Sequence, residues 1–141
     1  MKYLCLVYGE EQRLHTDPDS PEDAECRAYA ERVAASGRLV AAEALAPVSG
    51  ATTVRVRAGE TTLVDGPFAE TKEQLLGFYL IDARDLSEAV RLAAGIPAAR
   101  VGSVEVRPVR ELGTGRSVGV AAARREMGHT DRASRTTEVT A

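Results

Sequence analysis

Among its 141 residues the sequence has no tryptophan, two phenylalanines and four tyrosines. It therefore lacks the row of stacking aromatics on which a single-stranded nucleic-acid groove depends. The matching charge is missing too, since 18 basic against 21 acidic residues leave a net −3, whereas tracking a phosphate backbone requires a basic surface. Direct nucleic-acid binding is not expected. Histidine is scarce: His15 and His129 lie far apart and outside any ligand motif, and the two cysteines, Cys5 and Cys26, have no CxxC spacing. These absences argue against a metal centre, a disulfide framework and a resident cofactor, and the thiols read as reduced, buried small side chains. No apolar run approaches the roughly 20 residues of a membrane span. Met1-Lys2 runs straight into Tyr3-Leu4-Cys5-Leu6-Val7-Tyr8 rather than into a signal-peptide core. A cytoplasmic protein without membrane contact is the expectation.

The remaining pattern is that of one α+β domain. Met1–Tyr8 is rich in β-formers, and Gly9–Asp19 reads as a loop. Ser20-Pro21-Glu22-Asp23 predicts a helix start with Ser20 as cap and Pro21 in the first position, running to Ser36 and stopped by Gly37. Cys26, Tyr29, Ala30 and Val33 share one face of that helix, and a second strand follows over residues 37–45. Thr52–Arg57 and Thr61–Val64 form a hairpin whose arginines place it at a sheet edge or over a cavity mouth. Gly77–Ala83 is a third core strand. Asp85 with Glu88 then caps a helix with the stripe Leu86, Ala89, Val90 and Ala93, and residues 102–109 close the order as a last strand.

Two β-α-β units, over residues 1–45 and 77–110, make a ferredoxin-like βαββαβ fold with an inserted hairpin. Both helices fall on one face of the sheet. The bare face predicts a homodimer closing two sheets together or over a small-molecule pocket, with the hairpin and tail as the alternative cover. From Leu112 onward five arginines oppose three carboxylates, giving +2, so residues 1–111 carry −5. The domain is expected over 1–111. Residues 112–141 are expected to be an extension, flexible or docked on the dimer, with a short helix over 118–127.

The segment Asp65-Gly66-Pro67-Phe68-Ala69-Glu70-Thr71-Lys72-Glu73-Gln74 departs most from what packing requires. Thr71 with Gln74 resembles a capping box opening a helical turn through Leu76. One reading is a loop that only redirects the chain. The other presents Asp65, Glu70 and Glu73 as candidate bases, Lys72 as a clamp for a developing enolate, and Phe68 as a wall. Tyr8, Tyr29 and Tyr79 are candidate ligand contacts beneath the helices, and Arg55 is a candidate anion grip. Glu43 and Glu105 are strand carboxylates that can also serve as base.

Met1-Lys2-Tyr3-Leu4, the Asp65–Glu73 segment followed by Gly77-Phe78-Tyr79-Leu80-Ile81, and Ile96-Pro97-Ala98-Ala99-Arg100 with residues 102–108 occur in order along the chain. In these motifs the sequence resembles the DGPF group of YCII-related proteins. The resemblance implies a dimeric α+β barrel. It further implies a lyase or isomerase doing cofactor-independent acid–base chemistry next to a carbonyl, or a non-catalytic partner of an ECF-type sigma factor. Some related proteins use a His-Asp pair with the histidine on the first helix. Here that helix has no histidine, and Cys26 lies near the corresponding place.

Overall fold

The computed structural model describes residues 1–14 and 16–112. Its elements are the strands β1 (Lys2–Gly9), β2 (Leu39–Ala44), β3 (Thr52–Arg57), β4 (Glu60–Asp65), β5 (Gln74–Asp82) and β6 (Ser103–Pro108). The helices are α1 (Asp23–Ala35) and α2 (Leu86–Ala94), with short 3-10 turns at Val48–Gly50 and Pro97–Arg100. The chain divides between Val109 and Arg110. The unit Met1–Val109 is described below; of the second unit only Arg110–Leu112 is among the described residues. The tail expectations, His15 and His129 therefore fall outside them.

Four strands form an antiparallel sheet in the order β2-β5-β1-β6. Each β-α-β unit leaves a gap that a strand of the other fills, so β5 lies between β1 and β2 while β1 lies between β5 and β6. This is the ferredoxin-like α+β arrangement. Alternation along β1 buries Tyr3, Cys5, Val7 and Gly9 beneath the helices and turns Lys2, Leu4, Leu6 and Tyr8 to the other side. The core gathers Tyr3, Cys5, Val7 and Ile81 from the sheet with Val33 of α1 and Ala89 and Ala93 of α2.

Helix α2 begins as its sequence dictates, with Asp85 Oδ1 accepting from Glu88 N at 2.9 Å. Its buried face differs from the predicted stripe. Ala89, Leu92 and Ala93 turn inward while Leu86 and Val90 are exposed, because small alanines let the helix lie close on the sheet. Helix α1 begins two residues later than its capping signal suggests. Ser20 Oγ donates to Leu14 O at 2.6 Å, closing the preceding loop, and Glu22 takes the N-cap position without a side-chain bond. Gly37 is left-handed at φ +78, as the stop requires. Residues Thr71–Leu76 form no helical turn: Gln74 and Leu75 pair with Gly9 and Tyr8 as the start of β5, around a bulge at Leu76. The hairpin β3–β4 is a two-stranded sheet of its own rather than an edge of the larger one.

Candidate functional site

Directly opposed residues in a sheet share a face, so the strand register defines the side that carries no helix. Leu4 lies opposite Leu80 and Arg107, Leu6 opposite Phe78 and Glu105, and Tyr8 opposite Leu75 and Ser103; on β2, Ala41 opposes Leu80 and Glu43 opposes Phe78. The middle of this open face is a floor of Leu4, Leu6, Tyr8, Leu75, Phe78 and Leu80, all half-buried. Carboxylates stand on both outer strands. Glu43, Phe78, Leu6 and Glu105 form one row across the four strands. Arg107 Nη2 holds Glu105 Oε2 at 2.5 Å, whereas Glu43 is exposed and among the described residues has no cation in ion-pair range.

The loop after β4 is fixed at both ends. Gly66 sits at φ +114, a conformation open to glycine and strained for L side chains. Its N–H donates to Ala51 O at 2.8 Å, and Thr53 Oγ1 donates to its carbonyl at 2.9 Å. At the far end the first loop holds it: Glu11 N donates to Gln74 Oε1 at 3.0 Å, and Gln74 Nε2 donates to the carbonyls of Thr71 at 2.7 Å and Lys72 at 3.2 Å. Glu11 Oε1 also accepts from Val48 N at 2.8 Å, so one residue ties the entry to the hairpin and the exit from the loop. Asp65, at the end of β4, is exposed; between the anchors Glu70 and Lys72 are exposed, Glu73 is half-buried and Phe68 is 81% exposed.

Of the predicted site residues the loop brings Lys72 to Glu10, at 3.6 Å, an exposed pair that contributes little by itself. Asp65, Glu70 and Glu73 share no hydrogen bond or ion pair with one another among the described residues. Without a helical turn there, nothing stacks Glu70 over Glu73. Arg55 stands exposed on β3.

The three tyrosines are not one group. Tyr29 and Tyr79 meet edge to face beneath the helices, ring centres 6.2 Å apart at 63°, and the Tyr29 hydroxyl donates to the Leu92 carbonyl. Burial pushes both phenols up. They line the closed core with Cys5, Val33, Ile81, Leu92 and Ile96, where no space for a water is left, so the helix side is packing rather than a pocket. Tyr8 belongs to the opposite, open face. Cys5 is wholly buried and its thiol is pushed up to about 11. At Cys26, burial first and then the nearby Glu25 and Asp23 push the thiol up, which opposes formation of a thiolate base. Among the described residues no three His, Cys, Asp or Glu side chains cluster as a metal would require.

Glu10 and Glu11 were not expected at the site. Nothing local marks them, because Val48 and Gln74 lie 37 and 63 residues along the chain from Glu11. The shared row of Glu43 and Glu105 was equally hidden until the register set β2 and β6 on opposite sides of β5 and β1.

A model of the YCII-related domain matches residues 1–113. An uncharacterized protein of Rhizobium meliloti is 41% identical over 114 residues, covering 77% of this chain and 92% of that protein. Among the described residues no helix is long and apolar enough to cross a membrane.

Proposed function

We propose, for a chain that belongs to the YCII-related family, that it is a cytoplasmic protein binding a small organic molecule over the open face of its sheet, closed by a second copy. The observation that carries this is the apolar floor of Leu4, Leu6, Tyr8, Leu75, Phe78 and Leu80, bordered by Glu43 on one side and Glu105–Arg107 on the other. A sheet face of this kind left to water invites a partner. Two such faces set together enclose the few hundred Å³ typical of a ligand site.

The finer reading is acid–base chemistry next to a carbonyl. Glu43 takes the proton from the carbon beside the carbonyl, the C–H electron pair becomes the enolate double bond, and the oxygen gains the charge. Return of the proton at another carbon gives an isomer; departure of a leaving group with its bonding pair gives elimination. Within one chain Glu43 and Arg107 stand on opposite edge strands, so the guanidinium that steadies the charged oxygen is that of the second copy, set across from Glu43 when the faces close. Asp65, the last residue of β4, and Glu70 and Glu73 of the loop rank behind Glu43, which borders the floor.

The test is proton–deuterium exchange followed by NMR on a panel of small ketones, 2-oxo acids and lactones. Exchange by the wild type that falls at least about 100-fold in Glu43→Gln supports the reading. A wild type that neither exchanges nor binds any of the panel contradicts it. The exposure of Phe68 suits a second reading, in which the loop is a contact surface for a protein partner, and the partner we propose from the family resemblance is an ECF-type sigma factor. Tight binding of a purified sigma factor that Phe68→Ser abolishes supports this reading, and binding unchanged by that substitution removes it.

A further inference from the structure

The charges bordering the open face do not balance where the proposed chemistry takes place. In the row of Phe78 and Leu6 the carboxylates Glu43 and Glu105 stand at the two ends; one row along, Arg107 already holds Glu105 Oε2 at 2.5 Å. Glu43 has no ion-pair partner among the described residues. Two carboxylates thus share one guanidinium. The sheet's other charges on this side are Lys2 and, opposite it, Asp82, whose carboxylate holds the Met1 ammonium at 2.7 Å. They stand two rows away at the end of the sheet, about 14 Å along the strands from the Leu6 row. A second copy closing over the face brings the same set of groups, so the ratio at the site is unchanged. Beyond the carboxylate row the polar groups are uncharged: Tyr8 and Ser103, facing each other on β1 and β6, each carry a hydroxyl able to donate.

We infer that the substrate is an uncharged carbonyl compound, with no carboxylate beside the reacting carbonyl, and that Glu43 sets this selectivity. The inference rests on the ligand reading above and narrows it. Removing a proton next to the carbonyl places one negative charge on the oxygen, and a single guanidinium, shared with Glu105, is what the site offers it. A 2-oxo acid brings a second charge, on the carbon next to that carbonyl. Close to Glu43 and under a low-dielectric cover, two like charges repel far more than they do in water. The acid's carboxylate is also too near its carbonyl to reach Lys2 while the proton lies at Glu43. A neutral compound meets neither obstacle. Its apolar part lies on Leu6, Phe78 and Leu80, and a second acceptor, such as the ring oxygen of a lactone, finds the hydroxyls of Tyr8 and Ser103.

The test is NMR titration of the full chain with 4-phenyl-2-oxobutanamide and with 4-phenyl-2-oxobutanoate, two compounds of nearly the same shape that differ by one negative charge. The amide is expected to bind at least about tenfold more tightly. In Glu43→Gln, which keeps the size of the side chain and removes its charge, the acid is expected to recover to within about threefold of the amide. Wild-type binding of the acid as tight as that of the amide overturns the inference and leaves the ligand site standing. A gap that Glu43→Gln does not narrow also overturns it, by placing the discrimination elsewhere. Binding of neither compound, by the wild type or the variant, overturns the ligand reading together with the inference.

Discussion

On the helix-covered side of the sheet, Tyr3, Cys5 and Ile81 lie sealed under α1 and α2; on the other side of the same strands Leu4, Leu6, Phe78 and Leu80 are only half-buried. Neighbouring residues one step apart in sequence thus do different work. The covered side supplies what a single chain needs to fold, down to a tyrosine hydroxyl whose hydrogen bond goes to the Leu92 carbonyl. The open side spends as many large apolar residues without completing a core, and it brings carboxylates to the edges of that surface. Apolar area left partly exposed on a fold that is already closed elsewhere is area available for binding.

Substitutions on the two sides of the sheet put this contrast to the test. Ile81 is 2% exposed, so Ile81→Ala is expected to cost about 3 kcal/mol in urea denaturation, the range for emptying a packed site. Leu6→Ala, measured on the monomer, should cost less than about 1 kcal/mol. Equal costs would erase the distinction between the faces. Next in size is Gly102→Ala. An added Cβ would stand 2.0 Å from the Tyr8 carbonyl oxygen, and the backbone shift this forces is expected to cost about 2 kcal/mol by thermal or chemical unfolding.

Smaller effects come from the fastening of the helix layer. Asp85→Ala removes the acceptor for Glu88 N and should cost about 1 kcal/mol, without changing any property of the open face. At the other helix, the Arg100 guanidinium holds the Glu25 carboxyl below its usual range. A carboxyl lowered in the folded state stabilises above its unfolded value near 4.5 and loses that contribution as pH falls through the folded value. Glu25→Gln is therefore expected to flatten the acid limb of a stability–pH curve slightly; an unchanged limb would show the pair to be idle.

Much of the fold was legible because local chemistry and tertiary outcome agree. The alternating apolar strands, the Asp85–Glu88 cap and the left-handed stop at Gly37 need no distant partner to be recognised. Where they disagree, a long-range contact wins. Ser20 has the form of a cap but gives its hydroxyl to Leu14 O, and Thr71–Gln74 has the form of a helix start but Gln74 joins a ladder with Gly9. Nothing local separates Tyr8 from Tyr29 and Tyr79: its position in β1, odd or even, decides its face, and only the register with β5 fixes which face that is. The candidate site was least legible of all. Glu43 and Glu105 are 62 residues apart in number, and only the strand order places them in one row.

Whether the open face binds a second copy is decided by sedimentation of the full chain with and without Phe78→Asp. Phe78 lies mid-row on the open face and outside the covered core. A wild-type species of twice 15.0 kDa and a folded Phe78→Asp species of 15.0 kDa are expected. A wild type that sediments at the single-chain mass at every concentration, or a Phe78→Asp variant that stays paired, would contradict pairing through this face.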